Sequence, residues 1–123
     1  MREATIFDRC GGFATVGNVV MAFYKKVLSS SITAPYFEGV NVPGLMVHQT
    51  KFVSSIMGGP ASFDDVALQQ GHRGLNITEE AFDEMARLFR QTLNDGFNLN
   101  EDDVETLMLE IQSRRGLIVG TFG

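Results

Sequence analysis

Two histidines and a glutamine are the side chains of this sequence with the clearest capacity for ligand chemistry. His48 and Gln49 are adjacent, and the only other histidine, His72, follows 24 residues later beyond a Gly-rich break. Leu45, His48, Gln49 and Phe52 are spaced three and four residues apart, so a helix would place them on one face. Two histidines on separate segments could flank a flat ligand. A core helix with a partly exposed histidine is the alternative, and the spacing leaves both open.

Composition bounds the class of protein. The chain has 123 residues, 44% of them hydrophobic and 20% charged, which predicts one globular domain. A net charge of −5 without a basic cluster argues against nucleic acid or an anionic membrane as partner. Cys10 is the single cysteine, so no intrachain disulfide is expected. No signal peptide or membrane-length apolar run is evident. We therefore expect a cytoplasmic domain over residues 1–123, with peripheral tails at 1–4 and 117–123.

Apolar residues at helical spacing predict an all-α fold with four good helices. The N-caps expected for these helices are, in chain order, Thr15, Asn41, Thr78 and Asn100. Gly58-Gly59-Pro60 is expected to end the second helix, and Arg114 and Arg115 to form the last turn of the fourth before Gly116. A short first helix or 3₁₀ turn should close at Gly11-Gly12, and residues 61–77 are polar and irregular.

The chemistry that these residues could carry is haem binding. Phosphate loops, nucleophile elbows and zinc-ligand spacings are missing from the sequence. Haem needs one strong axial ligand, an apolar slot and a few polar groups on the opposite face. His72 can supply the axial bond, and Tyr24 and Gln49 can supply hydrogen-bond donors. The candidates for the apolar walls are Phe37, Leu45, Phe52, Phe82, Met85 and Phe89.

A series of short landmarks, in order along residues 5 to 115, resembles the truncated (two-over-two) haemoglobins, most closely their group I. The landmarks are Ile6-Phe7-Asp8-Arg9-Cys10-Gly11-Gly12, Phe23-Tyr24-Lys25-Lys26-Val27-Leu28, Tyr36-Phe37, His48-Gln49 with Phe52, Gly58-Gly59-Pro60 and His72-Arg73-Gly74-Leu75-Asn76-Ile77-Thr78. Each landmark is weak alone, and their order and spacing make the signal specific. The resemblance implies a two-over-two helical sandwich around one haem b per chain, with a mostly irregular proximal segment.

The resemblance also implies roles for single residues. His72 matches the proximal ligand of the haem iron. Tyr24 and Gln49 match the distal pair that hydrogen-bonds bound oxygen. Leu45 takes the distal gate position, where it cannot donate a hydrogen bond.

Three further positions complete the implied site. Phe37 matches the phenylalanine that packs on the haem at the corner between two helices, and Phe52 matches a phenylalanine near a ligand tunnel. His48 has two readings. It is either a sixth iron ligand that yields to an incoming gas, which is slightly favoured, or a residue near a haem propionate.

The function implied is reversible binding of O₂, NO and CO, with oxygen transport or NO dioxygenation as output. Dioxygenation would require an external reductase, because the chain has no flavin or nicotinamide motif. The alternative is a gas or redox sensor, or an electron-transfer globin, with two histidines on the iron. A haem-free helical interaction domain is the third hypothesis. A monomer or weak dimer is expected, without nucleic-acid or membrane partners.

Overall fold

The computed structural model describes residues 4–60, 77–95, 97 and 99–119, which form six α-helices and one 3₁₀ turn and contain no strand. The elements are α1 (Ile6–Cys10), α2 (Phe13–Ser29), the 3₁₀ turn (Ala34–Phe37), α3 (Val42–Ile56), α4 (Glu79–Leu93), α5 (Glu101–Ser113) and α6 (Arg115–Ile118). The all-α prediction is confirmed. Within these ranges no helix has the length and hydropathy needed to cross a membrane.

Three of the four predicted N-caps are confirmed. The side-chain oxygens of Asn41, Thr78 and Asn100 accept hydrogen bonds from the backbone N–H groups three residues later, at 3.2, 3.0 and 2.7 Å. Each bond satisfies a donor that the first helical turn cannot pair internally. These caps fix the starts of α3, α4 and α5, and α3 and α4 carry most of the predicted site.

The start of α2 corrects the prediction that Thr15 caps this helix. The helix begins at Phe13, and Gly12 is its N-cap with a φ of 76°, a conformation that glycine adopts without strain. Thr15 lies inside the first turn, where its hydroxyl fills the space that a Cβ on Gly11 would need. The glycine pair therefore makes the corner and starts the helix ahead of Thr15.

The end of α5 also differs from the prediction. The helix stops at Ser113, because Arg114 has a non-helical conformation (φ −102°, ψ 8°), and α6 then begins at Arg115 and continues past Gly116. Arg114 and Arg115 are therefore the junction between two helices and not one last turn. Ile118 is buried against the core, so the segment after Gly116 packs onto the domain at this residue.

The core lies where α2 packs against α3 and α4, and α5 packs against α4. Its fully buried side chains include Val16, Val19, Val27, Leu93 and Leu107. α1 closes one end of α3: the backbone N–H of Phe7 donates to the carbonyl of Met57 at 3.0 Å. A Cβ on Gly59 would lie 2.7 Å from the Phe7 ring, so only glycine permits this approach.

Candidate functional site

A series of aromatic rings crosses the interior from the 3₁₀ turn to α4. The Tyr24 ring on α2 lies edge-on to Phe37, with centroids 5.7 Å apart, and edge-on to Phe23 at 5.3 Å. Phe23 in turn lies edge-on to Phe89 of α4 at 5.4 Å. Edge-to-face contacts at these distances are favourable and directional, so they fix the orientation of the Tyr24 ring. The structure thus brings Tyr24, Phe37 and Phe89 into one connected group.

The Tyr24 side chain adds a hydroxyl to this group of aromatic rings. Tyr24 is only 5% exposed, yet its hydroxyl makes no hydrogen bond with any described residue. Burial raises the pKa of this phenol well above its ordinary value of 10.0. The hydroxyl therefore stays protonated near neutral pH and is available as a hydrogen-bond donor.

Helix α3 places the other predicted distal residues. Phe52 is buried, Leu45 and Gln49 are half-buried, and Leu45 packs against the core. The Gln49 amide makes no hydrogen bond within the described part of the chain. His48 is exposed, which corrects the prediction that it shares one face of the helix with Gln49 and Phe52. Tyr24, Phe37, Leu45 and Gln49 are called the distal set below.

Helix α4 carries the remaining predicted wall residues. Phe82 and Phe89 are buried, and Met85 is half-buried. The guanidinium carbon of Arg115 lies 4.4 Å from the centroid of the Phe82 ring. His72, the predicted proximal ligand, lies outside the described residues.

Two residues in contact with the site were not predicted as part of it. Phe23 joins Tyr24 to Phe89, and its place beside Tyr24 on the apolar stripe of α2 was the signal that could have identified it. Arg114 lies over Phe52, with 5.7 Å between the guanidinium carbon and the ring centroid. No local pattern indicates this contact, because the two residues come from α5–α6 and α3.

The residues present fit a flat apolar group such as haem. Phe37, Leu45 and Met85 keep part of their apolar surface exposed, which a macrocycle could cover. The Tyr24 hydroxyl has no hydrogen-bond partner among the described residues, so it is a donor that a ligand in this site could use. The half-buried Gln49 amide offers a second donor on the neighbouring helix.

An all-α domain with a buried tyrosine, a glutamine on the adjoining helix and apolar walls has the arrangement expected of a globin. The chain belongs to the bacterial-like globin family, whose sequence model matches residues 5–117. This membership confirms the resemblance drawn from the sequence landmarks.

Individual relatives agree with the family. The chain is 29% identical to a group 1 truncated haemoglobin of Tetrahymena thermophila over 94 residues, which are 76% of this chain and 78% of that protein. It is 34% identical to the group 1 truncated haemoglobin GlbN of Mycolicibacterium paratuberculosis over 79 residues, 64% of this chain and 58% of that protein. The crystal structure of the Tetrahymena pyriformis truncated haemoglobin in its Fe(III) form superposes with a TM-score of 0.85 at 24% identity, covering 95% of this chain and 99% of that one. The fold is therefore that of the truncated haemoglobins.

Proposed function

We propose that this chain binds one haem b and uses it to take up diatomic gases reversibly. In this proposal His72 holds the iron, and Tyr24 and Gln49 donate hydrogen bonds to the gas. Phe37, Phe52, Phe82, Met85 and Phe89 line the haem, and Leu45 lies at the entrance to the gas site. The observation that supports the proposal is Tyr24, a buried residue whose hydroxyl is protonated and has no hydrogen-bond partner among the described residues.

The chemistry proposed beyond binding is the conversion of NO and O₂ to nitrate. Haem supplies an iron centre for both gases, and the net reaction consumes an electron from an external reductase. The chain's own contribution is a site from which bulk water is kept by apolar walls, with two neutral donors aimed at developing negative charge. Neither donor changes its protonation state near neutral pH, because the pKa of Tyr24 is raised and an amide does not titrate.

The exposure of His48 supports the second of its two readings. The side chain lies on the outer side of α3, whereas Gln49 and Leu45 lie half-buried beside it. An exposed imidazole suits an interaction with a propionate at the haem edge better than a bond to the iron. We therefore propose that His72 would hold the haem iron and that His48 would lie near a haem propionate.

The experiment is an optical spectrum of the ferric and ferrous protein after reconstitution with haem, in the wild type and two matched histidine variants. The wild type should show a Soret band and a high-spin ferrous spectrum. His72→Ala should lose stable haem binding, since one axial bond carries most of the specific attachment. His48→Ala should keep both the haem and the wild-type spectrum.

Two results would contradict parts of this account. A wild-type chain that acquires no Soret band in excess haem is not a haem protein. A six-coordinate, low-spin ferrous spectrum that becomes high-spin in His48→Ala would instead establish His48 as the sixth ligand, and would favour the sensor or electron-transfer alternative.

A further inference from the structure

Two consecutive arginines at the junction of α5 and α6 each lie on a phenylalanine of the predicted haem walls. The Arg114 guanidinium carbon is 5.7 Å from the centroid of Phe52 on α3, and that of Arg115 is 4.4 Å from the centroid of Phe82 on α4. Both distances are within the range of a cation–π contact. Adjacent side chains reach different helices because the backbone at Arg114 leaves the helical conformation.

The two arginines are held in different ways. Arg115 donates to the carboxylates of Asp83 (2.5 Å) and Glu79, both in the first turns of α4. This arrangement ties α6 to α4. The Nη1 of Arg114 donates to the carboxylate of Glu110 at 2.8 Å and to the Glu110 carbonyl at 2.9 Å. Glu110 therefore anchors the guanidinium that lies over the Phe52 ring.

Phe52 connects this contact to the gas site. Long side chains on a helix lean toward its N-terminus and cover the residues three and four positions before them. For Phe52 these residues are Gln49 and His48. The Phe52 ring, which is 5% exposed and has the Arg114 guanidinium over it, therefore leans toward the turn that carries Gln49.

We propose that Arg114 is a positioning residue for the distal side of the pocket. Its guanidinium, held by Glu110, keeps the Phe52 ring in one orientation, and this orientation restricts the entry of gas toward Gln49. The proposal rests on the proposed function, since it assigns a role in gas entry to a residue that does not touch the gas. Arg115, which makes the shorter ring contact, serves the fold by joining α6 to α4.

The test compares Arg114→Met, Arg114→Lys and the control Arg90→Met. Methionine keeps an unbranched stem without the charge, and lysine restores a cation that can lie over the ring. Arg90 pairs with Glu105 on the surface and lies over none of the described rings. Two readouts are used: the NMR shifts of the Phe52 ring protons in the full chain, and the rate of CO association after photolysis of the reconstituted ferrous protein.

In Arg114→Met the Phe52 ring signals should shift, and CO association should accelerate about two- to fivefold, the factor that corresponds to the loss of an ordinary cation–π contact. Arg114→Lys should lie between this variant and the wild type in both readouts. Arg90→Met should match the wild type. If Arg114→Met does not fold, Arg114→Lys carries the same comparison with the smaller shift.

Three outcomes would overturn the proposal. Unchanged ring shifts in Arg114→Met mean that the cation does not fix Phe52. Shifted ring signals with an unchanged CO rate mean that the contact is structural only. An equal change of the CO rate in Arg90→Met means that loss of any ion pair of this surface suffices. Failure of the wild type to bind haem contradicts the proposed function, and the ring shifts then still report separately whether Arg114 holds Phe52.

Discussion

The arginines along helices α4 to α6 have ion-pair partners, whereas two polar side chains of the distal set have no hydrogen-bond partner among the described residues. Along α4, α5 and α6 each arginine is paired: Arg87 with Glu84, Arg90 with Glu105, Arg114 with Glu110, and Arg115 with Glu79 and Asp83. In the distal set, Tyr24 and Gln49 have no hydrogen-bond partner within the described part of the chain. Helices α4 to α6 therefore pair their charged side chains, and the distal set leaves two hydrogen-bond donors without a partner in the described structure.

This difference distinguishes side chains that stabilise the fold from side chains that are available to bind a ligand. Exposed ion pairs add little stability each, and a fold can gain or lose them at small cost. The Tyr24 hydroxyl adds no hydrogen bond to the described structure, so the fold gains little from it, whereas a ligand can accept its hydrogen bond. Substitutions in helices α4 to α6 and in the distal set test this comparison.

Replacement of Arg115 should have the largest effect on stability. Arg115→Met removes the bonds to Glu79 and Asp83 and the cation over Phe82, and should lower the free energy of unfolding by about 1 kcal/mol, since the side chain is 30% exposed. Urea unfolding of the full chain, with the m-value held as a check on two-state behaviour, measures the change. The control Arg87→Met removes a more exposed arginine that pairs only with Glu84 and should cost less. Equal losses in the two variants would show that the junction of α5 and α6 adds no special stability.

Ser54 also has a hydroxyl without a partner in the described structure, but it lies outside the distal set. It therefore tests whether every such hydroxyl takes part in gas binding. It is fully buried on α3 and its Oγ has no partner in the described structure. Ser54→Ala should leave the free energy of unfolding unchanged or raise it by up to about 1 kcal/mol, without altering gas binding. Its neighbour Ser55, whose Oγ donates to the Phe52 carbonyl at 2.9 Å, gives the control Ser55→Ala with a small loss. Altered gas kinetics in Ser54→Ala would extend the binding site to this residue.

The sequence predicted most of the helices because their signals are local. Asn41, Thr78 and Asn100 cap the helices that follow them, and the spacing of α3 correctly put Phe52 inside. The same spacing put His48 on that face, and this was wrong, because His48 is exposed. The prediction that Thr15 caps α2 was wrong, because the helix begins earlier, after the glycine pair, and its N-cap Gly12 makes no side-chain hydrogen bond.

Contacts between residues that are far apart along the chain could not be predicted from the sequence. Arg114 and Arg115 read as cations suited to the end of a helix, and only the fold shows that each lies over a phenylalanine of another helix. The missing partner of Tyr24 is likewise a property of three-dimensional packing. The roles of His72 and His48 still rest on the family resemblance and on exposure, and the histidine variants test them.

The central claim is that the unpaired Tyr24 hydroxyl exists to bind a gas, and the O₂ dissociation rate of Tyr24→Phe tests it most directly. The control is Tyr36→Phe, the only other tyrosine, whose hydroxyl accepts from the Thr78 N–H at 3.4 Å. Stopped-flow measurement on the ferrous reconstituted protein should give O₂ dissociation about tenfold faster in Tyr24→Phe, with the free energy of unfolding unchanged and Tyr36→Phe like the wild type. An O₂ dissociation rate in Tyr24→Phe equal to that of the wild type would contradict the account.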